Sequence, residues 1–264
     1  MKGLSIKVFA VMTAAIVTAA ALSAHAAGVK DAWKQGSDAL QKKRYAEAIE
    51  QLSKAIKQNK GEISIEDIAG VFNERGQAYM GLQQYDAALA DFDNAVRLGG
   101  PKPAFYNNSG MAHFALRQDE DALDDLTKAV ALAPGTAAYA VNRGRVHLRR
   151  QNLDQAIADF DRAIAADPRM EAAYLNRGIA YKGKAQYDKA LESLTRALEI
   201  DPSDSAAAYQ KAAIFSVTGK VDVACTWIEI AGDKGFRDWA QIKNSQEFDG
   251  IRKSDCYREI MKGK

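Results

Sequence analysis

Apolar residues recur along this chain at helical spacing, and the recurrence itself repeats. In one stretch Ala156, Ile157, Phe160, Ala163 and Ile164 follow the i, i+3, i+4, i+7, i+8 rule that gives a helix a single apolar face. Upstream, Val141, Gly144 and Leu148 predict a second helix of similar length, with Gln151 and Asn152 as the turn between the two. Asp167-Pro168 closes the pair, because proline disfavours helical geometry in the residue before it. The predicted unit is an antiparallel helix pair.

Small residues mark the period of that unit. Gly76, Gly110, Gly144 and Gly178 stand 34 residues apart, as do Ala88, Ala122, Ala156, Ala190 and Ala224. Ala95, Ala129, Ala163, Ala197 and Ala231 keep the same interval, and Pro134, Pro168 and Pro202 close three units. An earlier copy, with Gly36, Ala48 and Ala55, stands 40 residues before its counterparts, so six extra residues are expected as a longer loop near Lys60 to Ile65. A glycine within a helix costs about 1 kcal/mol relative to alanine. Its retention at one phase therefore predicts two closely approaching helix backbones, with the Ala156-type alanine, 12 residues on, as the small partner.

These residues resemble the tetratricopeptide repeat (TPR) family in the 34-residue period, the Gly144-type glycine, the two alanines and the closing Pro168. The aromatic three residues after the glycine is present as Tyr79 and Tyr181, with His113 and His147 substituting between them. Arg75, Arg143 and Arg177 replace the usual leucine before the glycine, and the last copy has Ala212 for glycine and no closing proline. The resemblance covers roughly Val29 to Phe236 as six units. It implies an all-α, right-handed superhelix of about six helix-turn-helix repeats, the first helix of each lining a concave groove. The expected layout is a divergent first repeat and its loop over 27–68 and four regular repeats over 69–204. A degenerate sixth repeat over 205–238 and a helical cap over 239–264 complete it.

The cap follows from end effects. Each repeat leaves an apolar face that only a neighbour covers, and Trp239, Ile242, Phe248, Ile251, Tyr257, Ile260 and Met261 supply apolar pairs beyond the sixth unit. Asp238, Asn244 and Ser254 are the expected N-caps, with Glu247 completing a capping box after Asn244. At the other end Met1 to Lys7 is short and basic, Val8 to Leu22 is apolar and small, and Ala24-His25-Ala26 is an A-x-A exit. That order describes a secretory signal peptide over 1–26, cleaved after Ala26, in a periplasmic or secreted protein with no membrane insertion after cleavage.

Charge narrows the function classes. The formal net charge of +2 comes from Lys2 and Lys7, and the remainder is neutral, with 34 cations against 34 acids. A neutral chain lacks the broad electrostatic footprint of a nucleic-acid binder. No G-x-S-x-G, P-loop, H-E-x-x-H or paired-cysteine zinc pattern occurs, so no catalytic residue, metal site or cofactor is expected. Asp91, Asp125 and Asp159 recur at one phase and match the arginines, either within a repeat (Arg143 with Asp159) or between neighbours (Asp125 with Arg143). Cys225 and Cys256 are expected to pair in an oxidising compartment.

The candidate binding surface is the groove. Asn108, Asn142 and Asn176 each precede the glycine by two residues, about 200° around the helix, and so turn away from the packed seam. An amide both donates and accepts, which suits an extended peptide backbone. Asn73, Arg145, Arg149, Lys182 and Phe114 join the expected peptide-binding set, with Gly76, Gly110, Gly144 and Gly178 as structural residues. A Lys/Asn/Arg carboxylate clamp is not matched, since Asn73, Gln77 and Ala138 stand at key positions. The expected partner is a peptide or helix of another protein. The alternative is self-assembly into homo-oligomers through the convex face or the ends.

Overall fold

The computed structural model describes residues 26–264; apart from Ala26, the leader expected over 1–26 lies outside them. All regular structure among the described residues is helical. The chain divides into two compact units, one ending at Leu132 and the other beginning at Ala133. In the first, α1 (26–41) pairs with α2 (Tyr45–Gln58), α3 (Ile65–Gly81) with α4 (Tyr85–Gly99), and α5 (Pro103–Ala115) with α6 (Asp119–Leu132). In the second, α7 (Ala137–Arg149) pairs with α8 (Leu153–Ala166), α9 (Glu171–Gly183) with α10 (Tyr187–Ile200), and α11 (Ser205–Val217) with α12 (Val221–Asp233). Two short helices follow, α13 (Trp239–Asn244) and α14 (Asp255–Met261), with a 3-10 turn at Gln246–Phe248 between them. The longer first connection is residues 59–64, where Asn59 Oδ1 accepts from the amides of Gly61 and Ile63.

The glycines sit on the seam of each pair, and their nearest neighbour is a larger residue than the alanine expected from the sequence, which also lines the seam. A Cβ on Gly76, Gly110, Gly144 or Gly178 would come within 2.5–2.7 Å of Phe92, Leu126, Phe160 or Leu194 respectively, in each case the residue 16 positions on. Gly36 meets Leu52 in the same way. The seam is thus a large side chain laid over a bare backbone. The Ala156-type alanine lies one turn earlier, where the backbones themselves converge: the Ala122 and Ala190 carbonyls stand 3.2 Å from the Cβ positions of Gly110 and Gly178.

Cations tie neighbouring pairs together. Arg75 holds Asp91 of its own repeat through two bonds (2.8 and 2.7 Å) and reaches back to Ser53 of the preceding one (2.9 Å). Hydrogen bonding to Asp91 raises the Arg75 pKa against the opposing effect of burial. Arg143 grips Asp159 likewise (2.8 and 2.6 Å), so of the two pairings open from the sequence the within-repeat one occurs at both. Arg177 meets Ser193 (3.1 Å) where a carboxylate would stand and bonds Asp161 of the preceding repeat (2.7 Å). Lys211 fills the same slot next, over the Trp227 ring (4.0 Å) and bonded to Thr195 (3.0 Å), its pKa lowered by burial.

The turn within each pair carries a second periodic feature. Lys43, Gln83, Arg117, Gln151 and Ala185 have φ between 55° and 64°, and Gly219 takes the same position at 72°. A Cβ in this left-handed region costs about 1–2 kcal/mol, partly offset by the lower chain entropy of a non-glycine residue when unfolded. Ala185→Gly is therefore expected to stabilise the chain by roughly 0.5–1 kcal/mol, read as a higher urea midpoint.

In the cap, Asp238 accepts from the Gln241 amide and Ser254 from the Tyr257 amide, as N-caps of α13 and α14. Asn244 instead ends α13, and Ser245 caps the 3-10 turn by accepting from the Glu247 amide. The capping box expected at Asn244 is shifted by one residue. Ile242, Phe248, Ile251 and Tyr257 bury against Tyr209, Cys225 and Ile228 in one cluster. Cys225 and Cys256 are joined by a disulfide, with Cα atoms 6.1 Å apart.

Candidate functional site

The first helices of successive repeats form one wall of each unit. Two of the asparagines expected on this wall have partners within the chain. Asn108 on α5 donates to Asn73 Oδ1 on α3 (2.9 Å), and Asn176 on α9 donates to the Ala172 carbonyl of its own helix (2.7 Å). Asn73 is buried, and Asn108, Asn142 and Asn176 are half-buried. The 200° rotation does take these amides off the glycine seam, but a stacked array also presses on a helix from the neighbouring repeat. Asn108 faces that second contact.

Phe114 on α5 and Asn142, Arg145 and Arg149 on α7 are likewise half-buried. Lys182 on α9 forms an ion pair with Glu247 of the cap, so it is engaged within the chain rather than facing an open groove. His147 and His113 stand beside the scaffold aspartates, each Nε2 4.0 Å from Asp159 and Asp125 respectively, and burial lowers the His147 pKa. Among the described residues no cluster of His, Cys, Asp and Glu is arranged to hold a metal ion.

A polar pocket of about 550 Å³ opens on the wall of the first unit, between α1 and α3. Ser37, Leu40 and Gln41 line it from α1, Lys43 from the turn after it, Tyr45 from the start of α2, and Asn73, Glu74 and Gln77 from α3. Glu74 is fixed in place by Trp33 Nε1 (3.1 Å) and the Ser37 hydroxyl. Asn73 also lines the pocket while its oxygen accepts from Asn108. Three amide side chains, one cation and one carboxylate thus converge on one cavity. Asn73 belongs to the binding set expected from the sequence, whereas Gln77 entered there only as a departure from the carboxylate clamp. Ser37 and Gln41 were not singled out, although Ser37 follows Gly36 as Gln77 follows Gly76.

A carboxyl pair joins the last two repeats of the second unit. Asp204 caps α11, accepting from the amides of Ala206 (2.8 Å) and Ala207 (3.1 Å). Glu171, at the start of α9, is pushed up from 4.5 to about 7 by burial, by a hydrogen bond to Asp204, and by the charges of Asp204 and Asp201. Folded Glu171 thus keeps its proton between 4.5 and about 7, where an unfolded chain has lost it. Its contribution is whole below 4.5 and is lost as pH rises through about 7. Glu171→Gln, which keeps a donor to Asp204, is expected to flatten this dependence. The urea midpoint of the native chain should fall relative to the variant between pH 5 and pH 8.

Comparison with known proteins fits this architecture. The tetratricopeptide repeat family profile matches residues 73–137, 110–171 and 141–205, which together span half of the chain. The chain belongs to the tetratricopeptide repeat family. No curated protein matches its sequence. Among solved structures, that of MamA is 24% identical with a TM-score of 0.56, covering 67% of this chain and 94% of that one. A tetratricopeptide repeat protein from Parabacteroides merdae is 16% identical with a TM-score of 0.61, covering 85% and 98%. YrrB, described as a TPR protein with an unusual peptide-binding site, is 21% identical with a TM-score of 0.54, covering 70% and 92%. At these identities the likeness is one of fold. Repeats of this family are in general non-enzymatic interaction modules, and the scaffold-like structure of this chain suggests protein–protein interaction.

Proposed function

We propose that the chain is an exported, non-enzymatic adaptor that captures a peptide or helical segment of a partner protein on the wall of its first helices. The grip is the pocket between α1 and α3. The observation that carries this reading is the convergence of the Gln41, Asn73 and Gln77 amides with Lys43 and Glu74 around one open cavity. A peptide backbone alternates donors and acceptors, and side-chain amides offer both without reading sequence. Glu74 and Lys43 add a polarity that orients the bound segment. YrrB, which shares the fold, is described as having a peptide-binding site. The basic start, apolar stretch and A-x-A exit of residues 1–26 support export and a partner in the cell envelope.

The test is crosslinking and mass spectrometry in the native compartment, followed by binding measurements on the partner so identified. Losing two amide contacts at about 1 kcal/mol each should weaken that partner by roughly tenfold or more in Gln41→Ala/Gln77→Ala. Asn176→Ala, whose amide is satisfied by its own helix, should leave binding unchanged. Equal affinity in the double variant would remove this pocket from the interface.

A further inference from the structure

The wall of the second unit already has an occupant, and it is the chain itself. Lys182 lies four residues after Gly178 on α9, while Tyr209 and Ser216 flank the glycine-equivalent Ala212 on α11. All three meet the segment that joins α13 to α14: Lys182 at Glu247, Tyr209 at Phe248 and the Ser216 backbone at Gly250. Glu247 forms the ion pair with Lys182. Phe248, fully buried, packs on Tyr209 with ring centroids 5.7 Å apart, and Phe236 stacks on the same ring at 4.9 Å. Gly250 passes close to the Ser216 carbonyl, its Cβ position 3.7 Å away. Burial and the Glu247 charge push the Tyr209 hydroxyl up to about 12, as expected of a phenol enclosed beside a carboxylate.

The covering segment is built like a bound peptide. It is a single turn, pinned at its ends by the Arg252 guanidinium on the Ser245 carbonyl (2.7 Å), and it presents an acid and an aromatic side by side. It also lies inside the ring closed by the Cys225–Cys256 bridge, so it cannot leave as a loose tail while that bond is intact.

We propose that Ser245–Arg252 is a built-in occupant of the peptide wall formed by α9 and α11, and that the partner segment fitting this wall carries the same chemistry, an acidic residue directly followed by an aromatic one. Lys182 receives the carboxylate, and the Tyr209–Phe236 shelf receives the ring. This rests on the reading of the first-helix wall as a peptide surface, but it concerns a different unit and different residues.

The probe is a labelled synthetic peptide with the sequence of residues 243–252, titrated into the full chain. The intact chain should bind it weakly, because the wall is filled. Phe248→Ala, which empties the shelf, should bind it at least tenfold more tightly. That gain should vanish when Lys182→Ala is added, or when the peptide's glutamate is replaced by lysine. Should Phe248→Ala fail to fold, Cys225→Ser/Cys256→Ser opens the ring without touching the shelf, and hydrogen exchange at 245–252 is then expected to accelerate at least tenfold while α9 and α11 stay protected. A folded, opened chain that binds the peptide no better than the intact one would overturn the proposal. So would a bridge-free chain whose 245–252 amides stay as protected as α11. Gln41→Ala/Gln77→Ala should not change peptide binding here, so failure of the first-unit pocket and failure of this inference are read separately.

Discussion

Arg143→Ala is expected to lower the free energy of unfolding by about 3–5 kcal/mol, the range for removing one partner of a buried ion pair. Asp159 is the reason. Its side chain is only 4% exposed, and it receives two parallel bonds from the Arg143 guanidinium at 2.8 and 2.6 Å. Without them, the neighbouring charges are Arg162, 3.5 Å away on a half-exposed side chain, and His147 at 4.0 Å, whose burial favours its neutral form. Neither replaces a planar fork. Urea unfolding followed by circular dichroism at pH 7 measures the loss. Arg177→Ala is the internal control: Ser193 stands where the carboxylate would be, and the other partner, Asp161, is half-exposed. There the loss should be only about 1 kcal/mol. Equal losses at the two positions would mean that the bidentate carboxylate contributes nothing special to the stacking.

Much of this architecture was legible because a repeat array states its contacts several times over. One glycine at helical spacing predicts little; Gly76, Gly110, Gly144 and Gly178 at one interval fix both the helix pair and its packed side. What the period could not reveal was which residue covers the glycine. The alanine 12 positions on and the Phe or Leu 16 positions on are equally periodic, and only the crossing of the two helices distinguishes them. The left-handed turn residues were hidden for the opposite reason. Lys43, Gln83, Arg117, Gln151, Ala185 and Gly219 share a conformation but no chemistry, so residue type carries no signal.

The candidate site was less legible. Placing Asn108 off the glycine seam is correct helix geometry, yet the helix is also pressed by its neighbour, where Asn73 waits. An angular argument on one helix cannot see that second contact. The engagement of Lys182 was hidden for a similar reason, since its partner Glu247 lies 65 residues away in a segment outside the repeat pattern. Where periodicity ends, in the cap, sequence reasoning retained the apolar residues and two of the three N-caps but lost the direction in which the segment folds. That direction decides which part of the wall is covered.

Cys225→Ser/Cys256→Ser should cost about 4 kcal/mol, the chain-entropy value for a 31-residue separation, and the loss should be local. Stability in a repeat array is close to a sum over units and their nearest-neighbour contacts, so a weakened end frays without carrying the rest with it. The cap has two helices of six and seven residues and draws its hold from Ile242, Phe248, Ile251 and Tyr257 pressed on α11 and α12. Segments this short have no independent helical stability in water. The bridge removes the unfolded freedom of the loop that contains three of those four residues and the short turn between them. With Trp33 and Trp227 replaced by phenylalanine in both proteins, Trp239, at the start of α13 and edge-on to Phe236, reports on the cap, while far-ultraviolet circular dichroism reports on the helices as a whole. In the oxidised chain the two signals should unfold closer together in urea. In the variant the tryptophan signal should change first, at a clearly lower midpoint, with the helical signal nearly unmoved. A single shared midpoint in both proteins would mean that the cap and the repeats melt as one body, and that the bridge strengthens the whole array rather than holding its last turn in place.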